Sequence, residues 1–146
     1  MLDKTQKEHH VFLSLKKLFV DELWSIHNIP VEFGFVDERP QGHDQFIVVL
    51  INEFIPSTVS SVTATIFMFS KHDGEQGQLS QLYDTVLSLF LSADEEHGFK
   101  RIPFYDADFI EFAKLIPYPN PCSAREKSYD GFYFRYFDVV FRWGGK

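Results

Sequence analysis

A chain of 146 residues and 17.1 kDa, 45% hydrophobic and 24% charged, has room for one domain, 1–146, with a core that needs no covalent staples. Its net charge of -7 opposes binding to nucleic-acid phosphates through a broad basic surface, and a single cysteine, Cys122, rules out an intrachain disulfide or a CxxC site. No apolar run is long enough to span a membrane and the first ten residues are polar, unlike a signal peptide, so the sequence reads as that of a protein made in the cytoplasm.

From Lys4 to His27 the apolar positions Val11, Phe12, Leu15, Leu18, Phe19, Leu23 and Ile26 recur at three-four spacing, which predicts an amphipathic helix. Asn28-Ile29-Pro30 ends it, because proline disfavours helical geometry in the residue before it and Asn tolerates the turn. A short strand, Val31 to Val36, follows, with Gly34 as a candidate bulge, and then a charged loop from Asp37 to Asp44. Gln45 to Ile55 and Ser61 to Lys71 read as two strands whose short Pro56-Ser57-Thr58 connection suits an antiparallel hairpin. A polar loop, Lys71 to Gly77, leads to a second amphipathic helix over Gln78 to Ala93, with Leu79, Leu82, Tyr83, Val86, Leu89 and Phe90 inward, and Asp94-Glu95-Glu96 forms an acidic corner at its end.

Phe99 to Tyr105 predicts a short extended segment, and Asp108 with Glu111 has the spacing of a capping box before a short helical or irregular stretch. Pro117-Tyr118-Pro119-Asn120-Pro121 should be extended and solvated, since alternating prolines lack amide donors. The chain ends on its strongest signal, an aromatic and β-branched strand running to Trp143. Its two faces, Tyr133, Phe137, Val139, Phe141 and Trp143 against Phe132, Phe134, Tyr136 and Val140, are both apolar, so both call for cover by a helix or another subunit. The expected fold is α+β: an antiparallel sheet of about four strands of mixed length with two main helices packed on one face.

Motifs for chemistry are missing. The sequence has no phosphate-cradling glycine loop, no GxSxG elbow, and none of its six histidines stand at the i, i+4 spacing of a helical zinc site. Asp106 and Asp108 have no nearby partner that completes a metal-dependent nuclease, and Cys122 lies in a proline-rich segment without a basic neighbour. The expectation is a protein that is not an enzyme and holds no metal or cofactor. Charge inside the last strand stands out: alternation puts Arg135 on the face of Phe137 and Asp138 on that of Tyr136, and each needs a partner in this chain or across an interface. With the loop residues Asp37, Glu38, Arg39, Lys71 and His72, which project from strand ends, Arg135 and Asp138 make up the candidate interface.

The amino-terminal amphipathic helix, Ile29-Pro30-Val31 entering a strand, the long hairpin, the middle helix and the ending Phe134-Arg135-Tyr136-Phe137-Asp138-Val139-Val140-Phe141-Arg142 together resemble tail terminator (tail completion) proteins of long-tailed bacteriophages. The likeness lies in layout over most of the chain rather than in a diagnostic motif. It implies a structural virion protein, assembled in the host cytoplasm, whose hexameric ring caps the tail tube and joins it to the neck. DNA would pass the lumen without specific binding, and the acidic charge suits that passage. The resemblance assigns no role to the Pro117 to Pro121 segment or to the acidic Asp94-Glu95-Glu96 corner. Two other classes stay open: another phage head-tail connector or adaptor, and a small enzyme or ligand-binding domain built on a long-range site.

Overall fold

The computed structural model describes residues 2–34, 42–71, 77–95, 98–121, 126–127 and 131–144. After a 3-10 turn, Lys4–Gln6, the first helix runs as α1 (Glu8–Phe19), a π-helical turn (Val20–Trp24) and α2 (Ser25–His27). Asp3 caps the opening turn by accepting from the Thr5 amide and hydroxyl, at 2.8 and 2.6 Å. Val11, Leu15, Phe19 and Leu23, one every four residues, are fully buried. A strict four-residue repeat drifts round an ideal helix, and the wider π-turn takes up that drift between Phe19 and Leu23. The phase shift corrects one sequence expectation: Ile26 leaves the core face and is 65% exposed. Asn28, left-handed at φ 57°, then closes the helix as anticipated, with the Ile29 amide donating to Leu23 O at 3.1 Å and the Asn28 amide to Trp24 O at 3.0 Å.

The strands are β1 (Val31–Phe33), β2 (Gln45–Ile55), β3 (Val59–Lys71), β4 (Ile102–Tyr105), β5 (Glu111–Pro121), β6 (Glu126–Lys127) and β7 (Phe132–Gly144), with α3 (Gly77–Leu87) between β3 and β4. The fold is α+β, but its sheet is larger than expected and mixed: six strands in the order β1-β2-β3-β7-β5-β4, curled as a half-barrel, with β6 also paired to β7. β1 lies parallel to β2, while every other pairing is antiparallel. The connection through residues 34–44 is about as long as a parallel return requires. Gly34 starts it at φ +105°, a backbone state that a side chain would strain, while its amide still donates to Val49 O at 2.9 Å.

The extra strands come from the stretch read as irregular. Asp106, not Asp108, organises the turn there: its Oδ1 accepts from the amides of Asp108 and Ile110, at 2.9 and 3.1 Å, and Phe109 turns left-handed at φ 58°. The chain therefore reverses into a β4–β5 hairpin instead of starting a helix. The proline segment is extended, as expected, but it is a paired strand and Pro117 is buried. Prolines at every second position set their donor-less nitrogens along one edge, so the intervening Tyr118 and Asn120 supply the groups that pair with β7 while the other edge cannot recruit a further strand. α3 is shorter than predicted: after Leu87 the amides of Leu89 and Phe90 bond three residues back, and the tightened turn drives Phe90 into the core. The acidic Asp94-Glu95 pair thus lies several residues beyond the helix rather than at its end.

Both helices pack on one sheet face, as predicted. Val11, Leu15, Phe19 and Leu23 from the first helix and Leu79, Leu82 and Val86 from α3 meet Ile47, Val49, Val62, Ala64, Ile66, Met68, Phe137, Val139 and Phe141 of the sheet. Polar contacts at Trp143 and Ser14 tie the layers together. The Trp143 indole donates to Thr5 O at 3.0 Å, and the Ser14 hydroxyl donates to His10 O while accepting from the Tyr105 amide, each at 2.8 Å.

β7 is paired along its whole length with β3 and along half of it with β5. Truncation after Gly131 is therefore expected to abolish cooperative unfolding, whereas a soluble product with an unchanged far-ultraviolet circular dichroism spectrum would contradict this placement. The turn carboxylate gives a second prediction. Backbone hydrogen bonds from Ile110 and Asp108, with help from Lys4 at 3.3 Å, hold Asp106 below its ordinary carboxylate pKa. A lowered folded-state pKa means stability that is full above about pH 4 and lost as pH falls through the folded value. In denaturant titrations, the advantage of wild type over Asp106→Asn should be constant near neutrality and shrink below about pH 4; a constant difference down to pH 2 would deny the carboxylate this role.

Candidate functional site

Antiparallel register gathers aromatic rings on the sheet face away from the helices. Phe46 of β2 stands opposite Phe69 of β3, Phe69 opposite Phe134 of β7, and Phe67 opposite Tyr136. The rings touch accordingly: Phe46 and Phe69 stack with centroids 4.5 Å apart, Phe69 and Phe134 lie at 5.2 Å, Phe67 and Tyr136 at 5.4 Å, and Phe132 meets Phe46 edge-on at 5.4 Å. Phe46, Val48 and Phe69 are buried by these neighbours, forming a second apolar cluster separate from the main core. Leu50, Phe67, Phe132, Phe134 and Tyr136 around them stay half-exposed. Both helices lie on the opposite face, so six aromatic side chains form a platform that no helix among the described residues covers.

A polar strip borders the platform. Asn52 donates through Nδ2 to the Thr65 hydroxyl at 2.7 Å, and that hydroxyl donates to Asp138 Oδ1 at 2.7 Å, a ladder across β2, β3 and β7. Asn52 follows Leu50 onto this face by alternation, and the β-bulge after Ile51 brings Glu53 to it as well. Asp138, a candidate interface residue, is therefore satisfied within its own chain and marks the rim of the apolar patch. Lys71, exposed at the end of β3 opposite Phe132, lies on the same face at the far end of the platform, and its amide donates to Asp44 O at 2.8 Å. Arg135 sits on the helix-side face with its guanidinium 3.9 Å from the Tyr83 ring centroid. Arg135 and Asp138 thus occupy opposite faces, as their spacing requires, and do not pair. Asp37, Glu38, Arg39 and His72 lie outside the described residues.

The platform was only half visible in the sequence. Alternation placed Phe132, Phe134 and Tyr136 on one face of β7, but adding Phe46 and Phe69 needs the register of three strands, which follows from the β2–β3 hairpin and its bulge. Tyr83 as the seat of Arg135 carried no sequence signal beyond its place on the inward side of α3.

Elsewhere a polar cavity of about 380 Å³ is lined in part by His27, His43, Asp44, Gln45 and Gln78. The Gln45 amide spans it by donating to Gln78 O at 3.1 Å, and the His43 ring lies 5.8 Å from Trp24. No hydrogen bond among the described residues joins its two histidines to Asp44, so it presents no aligned nucleophile and base. No cluster of three or more metal-capable side chains occurs among the described residues, and no helix there is long and apolar enough to cross a membrane.

No protein-family profile matches the chain, and no curated protein does. Seven chains of known structure match it in structure. One superposes with a TM-score of 0.61 over 96% of this chain and 97% of the other, at 6% sequence identity. At that identity the likeness is one of fold alone.

Proposed function

We propose that the protein is a structural ring subunit of the tail terminator kind, assembling through the aromatic sheet face and seating on a tail tube beneath the neck of a long-tailed phage. The observation that carries this reading is the platform itself. Six aromatic side chains lie on a sheet face opposite both helices, and contiguous apolar patches with a polar rim mark association surfaces in soluble proteins. Aromatic groups contribute large contact area at small entropic cost, which suits the centre of an interface. The layout resemblance to tail terminators supplies the kind of assembly, probed by stoichiometry. In a hexameric ring the contact is heterologous, so the platform would meet a different surface of the next copy, and the net charge of -7 would keep a DNA-conducting lumen from retaining its cargo.

Native mass spectrometry at micromolar concentration tests the reading, with sixfold mass the expected result and a strict monomer, in the presence of tail-tube protein, the contrary one. Phe67→Lys places a charge on the half-exposed border of the platform. It is expected to reduce the assembled mass to that of the monomer while circular dichroism stays unchanged; full assembly of this variant would remove the platform from the interface.

A further inference from the structure

Two buried side-chain polar atoms among the described residues have no hydrogen-bond partner, Ser70 Oγ and Arg135 Nε. They are not scattered. Ser70 of β3 stands opposite Tyr133 and Met68 stands opposite Arg135, so Ser70 and Arg135 are diagonal neighbours across the β3–β7 ladder. Even positions of β3 and odd positions of β7 face the helices, so both side chains leave the sheet on that one side, toward α3. Ser70 is 1% exposed, whereas Arg135 keeps partial access to solvent. The Tyr83 ring, 3.9 Å from the guanidinium carbon, gives Arg135 a cation–π contact and no hydrogen-bond acceptor for Nε. No carboxylate among the described residues pairs with Arg135.

Native proteins rarely leave buried donors unmade, and two at diagonal positions on one sheet face, one of them cationic, suit a shared acceptor. We propose that Arg135 and Ser70 form a binding site for a small oxyanion, a carboxylate or phosphate group, held by the guanidinium edge and closed by the serine hydroxyl. A fork of N–H donors matches such a group, and the contact with Tyr83 limits where the guanidinium can lie. The oxyanion can arrive as a free anion or on an acidic side chain of a second copy of this chain. The aromatic platform lies on the other sheet face, so this site can stand if the ring reading fails, and the reverse.

The test uses the full-length protein, with Arg135→Met, which keeps an apolar stem over Tyr83, and Ser70→Ala. Thermal melting is followed against inorganic phosphate, with sodium chloride at matched ionic strength as the control. A free-anion site predicts a saturable rise in the wild-type melting temperature, about 4 °C at ten times the dissociation constant, absent from both variants. A site filled by a second copy predicts no phosphate response but a lower sedimentation mass in both variants, with melting of the monomer preserved. Equal phosphate responses in all three proteins, or neither a response nor a change in mass, would overturn the proposal. So would a large loss of melting temperature confined to Arg135→Met, because the stacked guanidinium would then be a strut of the fold.

Discussion

The structure depends on the pairing of β7, a strand that is apolar on both sides and hydrogen-bonded on both edges. One face supplies Phe137, Val139, Phe141 and Trp143 to the core beneath the helices, and the other supplies Phe132, Phe134 and Tyr136 to the platform. Because side chains alternate, a slip of one residue would exchange these sets and expose the core. The register is locked from several directions at once: thirteen pairs with β3, the indole of Trp143 on Thr5 O, and Thr65 on Asp138. The amino-terminal turn, the hairpin and the last strand thereby constrain one another, although they are far apart in sequence.

Two edges and two faces then divide the tasks of the molecule. The edge strands are short, β1 with three residues and β4 with four, and beyond β4 the alternating prolines of β5 remove amide donors from its outer edge. On the helix side, packing is dense and consumes nearly every apolar group; on the other side, ring stacking satisfies only the centre of the cluster and leaves its border half-exposed. That asymmetry distinguishes a face that finishes folding from a face suited to a partner.

Much of this was legible from the residues because it rests on local periodicity. The hairpin, the helix stop at Asn28 and the two-faced final strand each follow from a pattern within a dozen residues. What escaped needed information from elsewhere in the chain. The π-turn that exposes Ile26 answers to the spacing of core positions on the sheet, and the Pro117–Pro121 stretch becomes a strand only because β7 offers it an edge. Asp108 had the right spacing for a cap, yet Asp106 took the turn amides because its side chain is also anchored by Lys4. The charges of β7 were placed on the correct faces, while their partners, Thr65 for Asp138 and Tyr83 for Arg135, are products of register and helix packing.

In the proposed assembly the aromatic platform is covered by another molecule of this protein. Hydroxyl-radical footprinting across a dilution series reads that cover residue by residue, with Phe109 as an internal standard because it is 51% exposed on the remote β4–β5 turn. Labelling of Phe67, Phe134 and Tyr136 relative to Phe109 is expected to fall several-fold as concentration rises through the assembly range. Labelling of those three rings that stays constant from nanomolar to high micromolar protein would contradict it.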